Sequence, residues 1–114
     1  VRSSRMRAIL LCCLSLSPLA AANDDAEFFE SRIRPILAVN CHACHTGGAL
    51  GGLRLDSREG VLAGGKSGKA VVEGKPEDSL LIRAVRRTDV RLKMPPVGPL
   101  ADHEVKALEE WVRR

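Results

Sequence analysis

An all-α fold is predicted: three to four short helices joined by long Gly- and Pro-rich loops. Apolar residues recur at helical spacing in three separate stretches, near Phe29, Leu81 and Leu108. Alternating patterns are brief, the clearest being Leu53-Arg54-Leu55, so no sheet is expected. Glycine and proline gather between the helical stretches, at 46–52, 60–74 and 91–96.

The first 22 residues read as an export signal, and 23–114 as one domain. Arg2, Arg5 and Arg7 form a basic start, Ala8 to Leu19 an apolar run too short to span a bilayer comfortably, and Ala20-Ala21-Ala22 a cleavage site before Asn23. Met6 is an alternative start to Val1, and an uncleaved anchor is the alternative to a signal. Leu11 before Cys12 argues against a lipoprotein, which needs a small residue there. Cleavage would remove Cys12 and Cys13 and three of the 18 Lys and Arg, leaving 15 basic against 14 acidic groups, a net charge of +1. The high isoelectric point therefore belongs mostly to the leader, and it carries no inference toward nucleic acid. Once the signal is cleaved, no stable membrane insertion is expected.

The mature helices follow in order. Asn23-Asp24-Asp25 is expected to cap the first, whose apolar stripe is Ala26, Phe29, Ile33 and Leu37. Pro35 should kink that helix or end its regular part, because it removes one backbone hydrogen bond. Asp56-Ser57-Arg58-Glu59 resembles a capping box that opens a short helix to Leu62. Pro76, with Glu77 and Asp78 beside it, suits the first turn of the next, which buries Leu80, Leu81, Ala84 and Val85. Arg83, Arg86 and Arg87 read as its solvated face. The last helix carries Val105, Leu108, Trp111 and Val112 on one side.

The chemistry sits at the end of the first helix. Cys41-His42-Ala43-Cys44-His45 is Cys-x-x-Cys-His, the attachment signature of a c-type haem. Two thiols three positions apart can form thioethers along one side of a porphyrin, while His45 supplies an imidazole to the iron. Leaving the cytoplasm fits this chemistry, since the haem is attached outside it in bacteria. The thiols must stay reduced until then. Zinc needs four closed ligands, and the motif supplies three. A thioredoxin-like site would want a βαβ context, whereas Gly47, Gly48, Gly51 and Gly52 follow the motif. Aromatics are scarce, being Phe28, Phe29 and Trp111, and a porphyrin would supply the missing flat apolar bulk to a mature chain of 92 residues.

The Gly-rich loop lets backbone pass close to a planar ligand. Leu53 or Leu55 is expected against the haem, and Arg54 either faces a propionate or is simply solvated. Met94 is the only methionine in 23–114, lies 49 residues beyond His45, and is followed by Pro95 and Pro96. A weak thioether ligand benefits from such a stiff loop, and Met94 is assigned as the sixth ligand. His103 is its competitor, and His42 is expected to point outward. Gly60 to Ser67 matches G-x-x-x-x-G-K-[ST], but it neither follows a strand nor opens a helix, so nucleotide binding is rejected.

The chain resembles the planctomycete cytochrome c family. The resemblance rests on Glu27-Phe28-Phe29-Glu30, Ile33-Arg34-Pro35-Ile36-Leu37, the Cys41–His45 motif and Gly51-Gly52-Leu53-Arg54-Leu55-Asp56-Ser57-Arg58. It continues through Gly74-Lys75-Pro76-Glu77, Ser79-Leu80-Leu81-Ile82-Arg83-Ala84-Val85, Lys93-Met94-Pro95-Pro96 and Trp111-Val112. It implies a cytochrome c-like fold wrapped around one covalent haem, with His45 and Met94 as axial ligands. It also implies crossed first and last helices, bringing Phe28 or Phe29 to Trp111. One departure is Ala101, where such domains usually carry a Ser or Thr cap; Asp102 could take the role. Another is that such a domain is usually one module of a larger protein, so a free carrier and a remnant of a longer chain both stay open.

The function expected is that of an exported, periplasmic one-electron carrier serving redox partner proteins, with no catalytic residue assigned. The alternatives are a haem peroxidase or gas sensor with a labile sixth position, and a zinc-binding interaction module.

Overall fold

The computed structural model describes the backbone of residues 18–47 and 49–114, and the side chains of 23–47 and 49–114. The leader proposed at 1–22 lies outside the described residues, apart from the backbone of 18–22, which is helical. The described residues are helical without a strand, as expected, and none of their helices is long and apolar enough to cross a membrane.

Helix α1 spans Pro18–Phe28, so Asn23, Asp24 and Asp25 lie inside it and cap nothing. The regular helix then gives way to a π-helical turn at Phe29–Ile33 and resumes as α2, Arg34–Asn40. Pro35 accounts for the interruption. It has no N–H to offer and its ring crowds the carbonyl four residues back, so the turn before it widens. The Arg34 N–H accordingly bonds the Phe29 carbonyl, five residues behind it. The interruption falls just before Pro35, and the helix survives it to carry Cys41 at its end.

Helix α3 is Arg58–Ala63. Its N-cap is Ser57, whose hydroxyl accepts the Gly60 N–H at 3.0 Å. Pro76–Asp78 forms a separate 3-10 turn, and α4 follows as Leu80–Arg86. The predicted single helix is thus split at Ser79, which is completely buried and whose side chain bonds outside α4. Its hydroxyl accepts the Val72 N–H at 2.9 Å and donates to the Lys75 carbonyl at 2.9 Å.

Helix α5 spans Asp102–Arg113. Ala101 precedes it with no side chain able to cap, and half of a capping box remains: the Glu104 carboxylate accepts the Ala101 N–H at 3.1 Å. Leu108 and Val112 of the expected stripe are buried with Ala107, while Val105 and Trp111 are partly covered. Ile33, Leu37, Ile82 and Leu108 are the largest side chains fully removed from water, and they join α2, α4 and α5 in one core. Phe29 meets Trp111 with ring centroids 5.5 Å apart, and the Arg114 guanidinium lies 4.2 Å from the Phe28 ring centre. Arg86 belongs to this frame and not to a free solvated face. It bonds Glu77 at 2.8 Å and Glu109 at 2.9 Å, tying the 3-10 turn, α4 and α5 together.

Candidate functional site: an apolar cleft at the Cys-x-x-Cys-His motif

Helix α2 ends at Asn40, and the motif follows in consecutive turns. The Cys41 and His42 N–H groups both bond the Leu37 carbonyl at 2.9 Å, which fastens the motif to the helix end. The extended strip Leu53–Leu55 is then stapled onto the motif by three bonds. The Leu55 N–H reaches the His45 carbonyl at 2.7 Å. His45 Nδ1 meets the Leu53 carbonyl at 3.3 Å, and His42 Nε2 meets the Leu55 carbonyl at 3.2 Å. A carbonyl only accepts, so each of these ring nitrogens carries a proton. The His45 tautomer that donates from Nδ1 leaves Nε2 with a free lone pair, the form a metal ligand needs. His42 was expected to point outward. It is half-buried, because the carbonyl of Leu55 holds its ring against the strip.

The strip alternates as the sequence suggested. Leu53 and Leu55 line a cleft, while Arg54 is outside its lining and about half exposed. The Arg54 guanidinium makes two bonds to Asp56, at 2.9 and 3.3 Å. These bonds hold the Asp56 carboxyl below the usual carboxylate range.

The space inside the cleft amounts to about 150 Å³, and to about 690 Å³ when the open mouth is counted. Cys41, His45 and Met94 all line it, so the fold brings Met94 across 49 residues to the motif. Leu50, Leu53, Leu55, Ala70, Leu81 and Ala84 supply apolar wall, and Ser67 contributes the single hydroxyl. Cys44 is exposed and outside the lining. His103 is exposed in the first turn of α5 and is also outside it. Burial pushes the Cys41 thiol up to about 11, helped by the neighbouring Cys44, so it is neutral at pH 7.

Two features of the wall depend on particular backbone. A Cβ on Gly65 would lie 2.7 Å from the Gly51 carbonyl oxygen, so only glycine lets these two loops touch. The Lys66 N–H bonds that same carbonyl at 2.8 Å. Gly65 of the rejected phosphate-loop match thus serves loop-on-loop packing. That motif starts inside α3 and has no strand before it among the described residues.

The Met94 loop is anchored at both ends of its methionine. The Met94 N–H bonds the Ala84 carbonyl of α4 at 3.1 Å, and the Pro95 carbonyl accepts the Arg87 guanidinium at 2.7 Å. The Met94–Pro95 peptide bond is cis. Arg87 escaped the sequence reading, which placed it on a solvated face. The available signal was its position one residue past α4, where a helix commonly ends in a left-handed residue.

An imidazole and a thioether in one apolar wall are donors that suit a soft or borderline metal. Among the described residues, no cluster of three His, Cys, Asp or Glu is placed to hold a metal ion, as a closed zinc site would require. The helices and this cleft define a small helical domain with an apolar cleft beside its Cys-x-x-Cys-His motif. Residues 41–98 match the sequence model of the planctomycete cytochrome C family, and the chain belongs to that family. Comparison with curated proteins and with solved structures finds no match to either.

Proposed function

We propose that the protein is an exported one-electron carrier with one covalent haem c, held through Cys41 and Cys44, with His45 and Met94 as axial ligands. One observation carries this reading: Cys41, His45 and Met94 line the same apolar cleft. The bound haem would supply a ferric/ferrous couple. The chain's own residues do the rest. The Leu53 carbonyl orients the His45 ring and makes its Nε2 more basic. The leucines and alanines of the wall exclude water, and Met94 in place of a second imidazole raises the reduction potential. The anchored Met94 loop keeps the sixth position filled. That favours electron transfer over the peroxidase and gas-sensing alternatives, which need a labile ligand. Partners are redox proteins approaching the rim near Cys44. Export rests on residues 1–22, with Asn23 as the mature start in the periplasm.

The test is expression in a host with haem-attachment machinery, followed by a denatured pyridine haemochrome spectrum, intact mass and terminal sequencing. The expected product starts at Asn23 and carries one haem that survives acid-acetone extraction. A product with the bare polypeptide mass would overturn the assignment, and one retaining Cys12 would overturn cleavage at Ala22.

A further inference from the structure

We propose that Arg87 is the positioning residue of the sixth-ligand loop: its guanidinium latches the Pro95 carbonyl to the end of α4 and so holds Met94 at the cleft. The inference rests on the reading of Met94 as an axial ligand and adds a residue that controls how firmly it stays there.

Three observations converge on Arg87. First, it sits at φ 60° and ψ 31°, in the left-handed region. Glycine occupies such helix ends most comfortably, and a side chain there carries a conformational cost. Second, that side chain is half-buried and spends a charged donor on a backbone carbonyl at 2.7 Å. A hydrogen bond from a charged donor is stronger than a neutral one. Third, the same turn of helix closes the loop from the other side. The Ala84 carbonyl accepts both the Arg87 N–H and the Met94 N–H, each at 3.1 Å. Ala84 itself lines the cleft beside Met94. The loop is therefore clamped on either side of the Met94–Pro95 bond to one helix end. Pro95 and Pro96 limit the shapes of the loop but cannot place it, since neither has an N–H to bond α4. The placing falls to Arg87 and to the Met94 N–H.

Arg87→Gly separates the latch from the backbone. Glycine accepts the left-handed conformation, so the fold is kept while the guanidinium is lost. Arg87→Lys keeps the charge and offers a shorter, non-planar donor. Met94→Ala is the control for ligation. All three are made in the haem-loaded protein and compared with the parent. Three readouts are taken: the ferric near-infrared sulfur-to-iron band, the rate of carbon monoxide binding to the ferrous form, and unfolding in urea.

Arg87→Gly is expected to weaken the band and raise the carbon monoxide rate about tenfold, the low end for losing a charged hydrogen bond. Arg87→Lys should fall between it and the parent. If Met94→Ala abolishes the band while Arg87→Gly keeps parental band and rate, Met94 is the ligand and the latch is wrong. If Met94→Ala leaves the band intact, the ligation reading fails and takes the latch with it. If Arg87→Gly lowers urea stability but leaves band and rate unchanged, Arg87 is structural only and the proposal is overturned.

Discussion

Replacing Ser79 by alanine is expected to cost about 2 kcal/mol of folding stability, a large share for so small a domain. The side chain is completely buried, so no water can replace its hydroxyl. The half-buried Val72 N–H has Ser79 Oγ as its partner at 2.9 Å, and losing that partner costs about 1–3 kcal/mol. The Lys75 carbonyl loses less, because it still accepts the Asp78 N–H at 3.2 Å. No capping energy is added, since Ser79 makes no side-chain bond to its own helix. The missing oxygen leaves too small a void to add much. Urea unfolding of parent and Ser79→Ala measures the difference, with an unchanged m value showing that the unfolded state is the same. Amide exchange gives the local check: Val72 should lose protection more than its neighbours. A difference below about 0.5 kcal/mol, with Val72 still protected, would refute the reasoning.

In the haem-free, reduced protein, iodoacetamide at pH 7 should label exposed Cys44 well before Cys41, whose buried thiol is pushed up to about 11. Peptide mapping reads the order, and Cys41 labelling should climb as pH approaches that value. Arg86→Met should destabilise by about 1–2 kcal/mol at pH 7, because Glu109 is left largely buried without its partner. Arg86 also holds the Glu77 carboxyl below its ordinary value, first by hydrogen bonding and then by charge. A depressed folded value means that this contribution is present at neutral pH and is lost as pH falls through the folded value, so the Arg86→Met penalty measured in urea should shrink at pH 3. A double-mutant cycle on Phe29→Ala and Trp111→Ala should give a coupling of about 0.5–1.5 kcal/mol, as expected for rings 5.5 Å apart; zero coupling would mean that the two helices do not depend on this contact.

What the sequence made legible was mostly local. Ser57 caps α3 because a cap needs only the next three residues, and the heptad-like stripe of α5 is written in the order of its own side chains. Cys41 and His45 stand out because thioether and imidazole chemistry would fix their spacing, and both line the cleft. Met94 could be named because it is the only methionine in 23–114. Residues whose roles depend on distant partners stayed hidden. Ser79 looked like part of a helix start, but its bond goes back to Val72. Arg86 and Arg87 looked alike in sequence, yet one joins Glu77 and Glu109 while the other reaches Pro95. His42 carried no sign that a carbonyl 13 residues later would hold its ring. The cap expected at 23–25 belongs to a chain that starts at Asn23, whereas in the full chain α1 runs from Pro18 through these residues.

The central claim is that the Met94 sulfur sits on the iron of a haem held in this cleft. Proton NMR of the ferrous, haem-loaded protein tests it most directly. Protons lying close over a porphyrin plane are shifted far upfield by its ring current, and Met94 has the only methionine methyl group in 23–114. The account predicts a three-proton singlet far upfield of every ordinary methyl, absent from Met94→Ala. A Met94 methyl at its ordinary position in the diamagnetic, haem-loaded protein would contradict it.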